Sequence, residues 1–267
     1  MHTSSVNKTL FIAATHGDEP IGPALLERLA DKDNLKSLYE SVIGNPRALA
    51  QNKRFTEIDL NRAAPGDADS LIYEVARAAE LVELFRQFDY IVDFHETRAN
   101  NRIVLIIPRL CCESLALALS FDIEEILIWP SPALNAAARP LVQYAPFGVE
   151  IECGTKNSLG HTLNRLTKIV MAYLKNGVLK VEDNLILPPT EMEKKKFYLV
   201  YGRIEPYEVE RINLKDHKEV DTGKEKFIAL LFGKHQGLIG YKMRALDSRE
   251  VLDMISFRKN TEENYDH

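Results

Sequence analysis

Cysteine is scarce in this chain: Cys111, Cys112 and Cys153 are the only three in 267 residues. An odd number with two side by side excludes a disulfide framework and suits a reducing compartment. Long apolar runs are also lacking. The first one, in MHTSSVNKTLFIAATHG, is short and is broken by His16 where a secretory leader would carry a small-residue cleavage site. It fits neither a signal peptide nor a membrane span, so a cytoplasmic location without a membrane partner is expected. Basic blocks are few as well. Nothing stands out beyond Lys194–Lys196, and the formal net charge is -5 with a pI near 5.9. Nucleic acid and anionic lipid are therefore poor partners for it. Internal repeats and low-complexity tracts are absent from the sequence.

What is present is an ordinary globular composition, 45% hydrophobic and 27% charged, enough for one large domain and a smaller one. Apolar runs of strand length recur through the first two thirds: TLFIAAT, SVIGNP, DYIVDFH, RIVLIIP, EILIWPS and FGVEIEC. Between them lie the helical patterns PIGPALLERLADK, DSLIYEVARAAELVELFRQF and SLGHTLNRLTKIVMAYLKNG, the last ending on Gly177 as a C-terminal stop. Strands apolar on both faces, alternating with helices, predict an α/β fold: a mixed, mainly parallel sheet with helices on both faces. After the Pro-Pro breaker in NLILPPTE the chain changes character. It reads as short strands (KFYLVYGRIEP, EVERIN, KFIALLF, GLIGYKMRAL) without a long helix, and ends in a frayed tail, RKNTEENYDH. The expected organisation is a catalytic α/β domain over residues 1–180 and a small β-rich C-terminal domain over 181–267.

In open α/β sheets ligands bind outside the carboxyl ends of the strands. Three strands here deliver ionisable residues to that place: TLFIAAT leads to His16 and Glu19, DYIVDF to His95, and GVEIEC to Glu150 and Glu152. Two imidazoles and one carboxylate form the set used by catalytic zinc when one position stays open for water. Each signal alone has a plainer reading. His95 is satisfiable by neighbouring Asp93 or Glu96, and GDEP, with Pro20 at a helix start, is ordinary strand-to-helix punctuation. The two glutamates share one face of their strand, so spacing does not choose between them.

The ordered motifs HGDE, GNPRA, DLNRAAPG, DFHET and IECG, spread from His16 to about Gly160, resemble the succinylglutamate desuccinylase and aspartoacylase family of zinc deacylases, relatives of the metallocarboxypeptidases. The resemblance implies a zinc-carboxypeptidase-like fold and one Zn2+ per chain held by His16, Glu19 and His95. It implies Glu152 as the catalytic glutamate and Arg47 as the arginine that polarises the scissile carbonyl. It also implies Asn61 and Arg62 as the grip on a substrate carboxylate, with Asp59 orienting its neighbours. Tyr241 occupies a place comparable to that of a tyrosine reaching the site from the C-terminal domain. Register with the family pattern favours Glu152 over Glu150, leaving Glu150 to hold a neighbouring arginine. Arg98 and Arg139 are further candidates for the pocket, and Asp18 is a solvated or supporting acid.

The chemistry asks for these residue types. Zinc lowers the pKa of water to about 7 and polarises a carbonyl. Glu152 would relay the proton to the departing amine, Arg47 would face the oxyanion, and a planar guanidinium at Arg62 would pair with a carboxylate through two parallel hydrogen bonds. The expected function is hydrolysis of the amide bond of a small acidic N-acyl amino acid, with the C-terminal domain covering the cleft. A carboxypeptidase acting on short peptides and a non-catalytic binder of small carboxylates are the competing readings. Cys153 should face away from Glu152 and read as a small buried residue. Homodimers are common among such chains, although no diagnostic interface is visible.

Overall fold

The structure, a computed structural model, describes residues 8–97, 102–130, 139–154, 159–180, 189–208, 212–231 and 239–262. Among these residues ten strands form one sheet: β1 (Thr9–Ala13), β2 (Tyr39–Ile43), β3 (Tyr90–His95), β4 (Ile103–Ile107), β5 (Glu125–Ile128), β6 (Phe147–Cys153), β7 (Lys196–Arg203), β8 (Glu219–Asp221), β9 (Lys226–Leu230) and β10 (Tyr241–Leu246). Their order is β2-β1-β3-β6-β4-β5-β7-β10-β9-β8. From β2 to β6 the strands are parallel, and β4 then pairs antiparallel with β6. The direction of the sheet reverses at that pairing. β5 and β7 follow β4 in parallel, and the last three strands are antiparallel.

The helices are α1 (Ile21–Ala30), α2 (Pro46–Ala50), α3 (Tyr73–Phe85), α4 (Cys112–Leu119), α5 (Leu159–Asn176), α6 (Pro189–Glu193) and α7 (Ser248–Glu262). Strand alternation separates two faces. Phe11, Phe94, Val149, Ile151 and Cys153 pack on one side in a core with residues of α1, α4 and α5. Leu10, Ile12 and Ile91 pack on the other with Ala78, Leu81 and Phe85 of α3. Further along this second face, Val104, Ile106 and Leu127 cluster with Val200, Leu230 and Met243. Each large apolar side chain withdrawn in this way contributes about 1.5–3 kcal/mol. Asp93, His95, Glu150 and Glu152 have the parity of the α3 face and stand in the gap between these two apolar clusters.

The three expected long helices form, and Gly177 ends α5 with φ +73° and an amide bonded to the Tyr173 carbonyl at 2.8 Å. α3 starts later than its apolar pattern, leaving Leu71 outside and fully exposed. Two readings need correction. The C-terminal region does contain a long helix, α7, which absorbs much of the supposed frayed tail and, among its described side chains, fully buries Val251 and Ile255. Of EVERIN, Glu208 closes a 3-10 turn (Pro206–Glu208), Ile212 and Asn213 belong to no strand, and residues 209–211 lie outside the described residues. The expected boundary near residue 180 falls beside residues 181–188, also outside them, and the strands that follow extend the same sheet.

Candidate metal and catalytic site

The chain leaves β1 through Ala14, whose φ of +54° is a left-handed conformation that costs a non-glycine residue about 1–3 kcal/mol. The bend is held by the turn after β2, where the Gly44 and Asn45 amides donate to the carbonyls of Ala13 and Ala14. It brings His16 and Glu19 over the ends of β3 and β6. Gly17 is required here for space: a Cβ on it would lie 2.1 Å from the carbonyl carbon of Ala48 in α2. On the sheet itself, His95 is the register partner of Glu152 and Asp93 that of Glu150.

The two histidines present their Nδ1 atoms to each other at 3.2 Å. Glu19 closes the triangle, its oxygens 2.8 Å from His16 Nδ1 and 3.3 Å from His95 Nδ1. The far nitrogens are held by carboxylates, His16 Nε2 by Asp59 at 3.0 Å and His95 Nε2 by Asp93 at 3.0 Å. Asp93 is fixed in turn by the Thr15 hydroxyl, which donates to both its oxygens, and the Glu96 amide donates to Glu19 at 3.0 Å. His16, Glu19 and His95 are all buried. Their ligand atoms lie close enough to share one ion. Asp93, His95 and Glu150 also converge, but Asp93 is already occupied by Thr15 and by the imidazole it orients.

Charge balance favours a cation. Glu19, Asp59, Asp93, Glu150 and Glu152 supply five carboxyl groups against the guanidinium groups of Arg54 and, acting on Asp59, Arg62, and at most two imidazolium groups. Burial alone would lower the His16 pKa, yet Glu19 and Asp59 outweigh it and raise it to about 9. His95 is raised well above its ordinary value in the same way, burial opposing and Asp93 prevailing. Against the cost of burial, the His16 charge holds Glu19 well below the usual carboxylate range. Glu152 behaves oppositely. Desolvation pushes it up to about 7, with His95 opposing and Glu19 and Glu150 assisting. Two interacting carboxyl groups thus have pKa values driven in opposite directions, the arrangement that separates an anchoring group from a proton-transferring one.

Not every expected residue joins this cluster. Arg47 is exposed, its guanidinium 3.9 Å from the centre of the Tyr73 ring. The arginine at the cluster is Arg54, which sequence reasoning passed over. Its Nη1 lies 3.4 Å from Glu19, and its Nε and Nη2 reach Asp59 at 3.3 and 3.1 Å. Asn61 is buried, its carboxamide spent on Glu150 (2.8 Å) and on the Leu141 amide (2.7 Å). Glu150 therefore holds Asn61 where an arginine was expected. Arg62 is exposed, and its Nη1 donates to the Asn61 carbonyl at 2.7 Å.

Tyr241 packs edge-on against Trp129 with ring centres 4.5 Å apart. It pairs with Arg203 at the end of β7, the edge toward which β4 and β5 run, whereas β1, β3 and β6 run to the opposite one. From the C-terminal region it is His217 that approaches the edge of the site: its Nε2 lies 3.5 Å from Glu125, at the start of β5 and two strands from Glu152. Arg139 is exposed, Asp18 is half-buried and Arg98 lies outside the described residues. Cys153 is fully buried on the opposite face, and burial pushes its thiol well above the usual range, so it is no nucleophile.

The fold and this cluster define an α/β protein with a histidine–carboxylate centre at the point where a mixed sheet reverses direction. Residues 5–176 match the profile of the succinylglutamate desuccinylase/aspartoacylase catalytic domain, and the chain belongs to that family. It is similar to probable aspartoacylases from several strains of Prochlorococcus marinus: 31% identity to one of them over 55% of this chain and 52% of the relative, and 28% to that of strain AS9601 over 84% and 82%. The first of these matches spans only about half the relative's length. Among solved structures, murine aminoacylase 3 matches 91% of this chain and 97% of its own at a TM-score of 0.68 and 16% identity. Succinylglutamate desuccinylase from Chromobacterium violaceum matches 91% and 85% at 0.64 and 17%. At these identities the structural likeness speaks for the fold. No helix among the described residues is long and apolar enough to cross a membrane.

Proposed function

We propose that the chain is a zinc-dependent deacylase that hydrolyses the amide bond of a small acidic N-acyl amino acid. The observation carrying this reading is the facing pair of imidazole Nδ1 atoms with Glu19, each imidazole braced from behind by an aspartate, beside a carboxylate whose pKa is raised to about 7. His16, Glu19 and His95 would hold the metal, and the donor set suits zinc with a position left open. When bound, zinc supplies Lewis acidity toward water and toward a carbonyl oxygen.

The remaining roles fall to this chain's own groups. Glu152, tuned close to neutrality, takes a proton from the attacking water and returns it to the departing nitrogen. Arg54, locked by Asp59 and lying beside Glu19, is placed to meet the negative charge that develops on the carbonyl oxygen, a role that suits it better than Arg47. Arg62, exposed and anchored through its own Asn61 carbonyl, offers the rest of its guanidinium to a substrate carboxylate, while Asn61 positions Glu150. His217, at Glu125, brings the C-terminal region to the same edge of the sheet two strands from Glu152, which favours a small substrate over a peptide.

The test is free-amine release from a panel of N-acetyl and N-succinyl amino acids by the zinc-loaded protein, with Glu152→Gln as control. Zinc-dependent turnover of an acidic member, lost in the control, is expected. A protein that binds zinc and cleaves short peptides but none of the panel would overturn the substrate assignment, and equal activity in the control would remove Glu152 from its role.

A further inference from the structure

Glu74 lies on α3 outside the metal cluster and belongs to no motif with assigned chemistry, yet it is completely buried and accepts from three backbone amides. Its Oε1 accepts from the Thr56 amide at 2.7 Å, the Thr56 hydroxyl at 2.6 Å and the Asn45 carboxamide at 3.1 Å. Its Oε2 accepts from the amides of Glu57 at 3.2 Å and Ile58 at 3.4 Å. The chain from residue 51 to 59 forms no helix or strand, so these three consecutive amides have no ladder to join.

We propose that Glu74 is the positioning residue of the segment from Arg54 to Arg62, setting the placement of Arg54 and Asp59 against the metal-binding cluster; the catalytic part of this inference rests on the function proposed above. Arg54 stands two residues before the bonded amides and Asp59 one residue after them. Within this segment, Arg54 contacts Glu19 and Asp59 contacts His16. The same carboxylate also orients Asn45, whose Oδ1 caps α2 through the Ala48 amide, and α2 supports Gly17 beside His16. Arg77, one turn further along α3, donates to the carbonyls of Ile43 and Gly44, so one helix grips both segments that border the site. A carboxylate suits the position because it is acceptor-only on both oxygens and meets a row of donors. A carboxamide would place an NH2 group against one or more N–H groups.

The experiment compares the zinc-loaded wild-type protein with Glu74→Gln, Thr56→Val and Leu81→Ala, the last being a core truncation on the same helix that touches none of these bonds. Three quantities are read per folded protein: kcat and KM separately, zinc affinity by competition with a chelating dye, and amide hydrogen exchange at residues 56–58. In Glu74→Gln, kcat is expected to fall on the order of 10²-fold while KM moves much less. Zinc affinity should fall roughly tenfold or more, and the three amides should exchange faster. Thr56→Val should shift all three readouts the same way by less, and it decides the matter should Glu74→Gln not fold. Leu81→Ala should lower stability alone. Unchanged zinc affinity and exchange in Glu74→Gln, or an equal loss of kcat per folded molecule in Leu81→Ala, would overturn the assignment. If the wild-type protein turns over no substrate, the functional reading fails while zinc affinity and exchange still decide the role of Glu74.

Discussion

His16 Nδ1 and His95 Nδ1 lie 3.2 Å apart, each imidazole backed by a carboxylate on its other nitrogen. When both imidazoles are protonated their two Nδ1–H groups face each other across that gap, and a shared cation in place of those protons removes the conflict. The protein should therefore bind zinc in a 1:1 ratio by elemental analysis after dialysis, and His16→Ala or His95→Ala should each abolish it. Full zinc retention in His95→Ala would refute the site.

Binding should release protons. Burial lowers the histidine pKa values, but Glu19 and Asp59 raise that of His16 to about 9, and Asp93 chiefly raises that of His95 well above its ordinary value. Both imidazoles are thus largely protonated at neutral pH in the metal-free protein and must be neutral to ligate. Zinc affinity should climb as pH rises from about 6.5 toward 9, and calorimetry in buffers of different ionisation enthalpy should register the released protons. An affinity flat over that window would contradict the assignment.

Asp59→Asn and Asp93→Asn keep shape but weaken the brace behind each histidine. Removing such support typically costs 10–100-fold in metal affinity. Both variants should stay folded and lose zinc in that range; Asp93→Asn at wild-type affinity would show that His95 needs no partner behind it.

The two arginines of this region should separate cleanly. Arg54→Ala should lower kcat on the order of 10²–10³-fold, the usual effect of removing a group that stabilises a developing oxyanion. Arg47→Ala loses only an exposed stacking contact with Tyr73 and should stay within a few-fold of wild type. The reverse ranking would return the role to Arg47.

Gly17→Ala should be among the costly conservative changes, because the added methyl meets backbone rather than a side chain that could swing aside. Overpacking of this kind costs roughly 1–3 kcal/mol. At about 2–4 °C per kcal/mol for a chain of this size, thermal denaturation should show a drop of several degrees; an unchanged midpoint would mean that α2 moves freely.

Much of this architecture was legible because strand and motif coincide. TLFIA, DYIVDFH and FGVEIEC read as strands and end on the residues that meet in space. The reversal at β4 was not legible, since RIVLIIP is buried on both faces and has the same pattern in either direction. CESLALAL forms α4 although its alternation of large and small apolar residues carries no helical period. α7 was not legible because, among its described side chains, Val251 and Ile255 alone are fully buried, and its apolar residues (Val251, Leu252, Met254, Ile255, Phe257) are crowded into one half of the helix. Within the site, Asp93 was legible as a partner for His95, being two residues before it on one strand and hence on the same face. Choosing between Arg47 and Arg54 required the folded path of residues 51–59, which no periodicity encodes, and the same holds for Glu74, which sits among helix formers and looks like any surface glutamate.

β6 carries Glu150 and Glu152 on one face and Val149, Ile151 and Cys153 on the other, and it is registered against both β3 and β4. A slip of one residue would turn the acids into the core and the aliphatic side chains toward the histidines. Solubility and competence are therefore decided by the same pairings, so a misassembled chain should fail at both together. In a preparation of this protein, the fraction that takes up metal tightly would serve as a count of correctly assembled molecules.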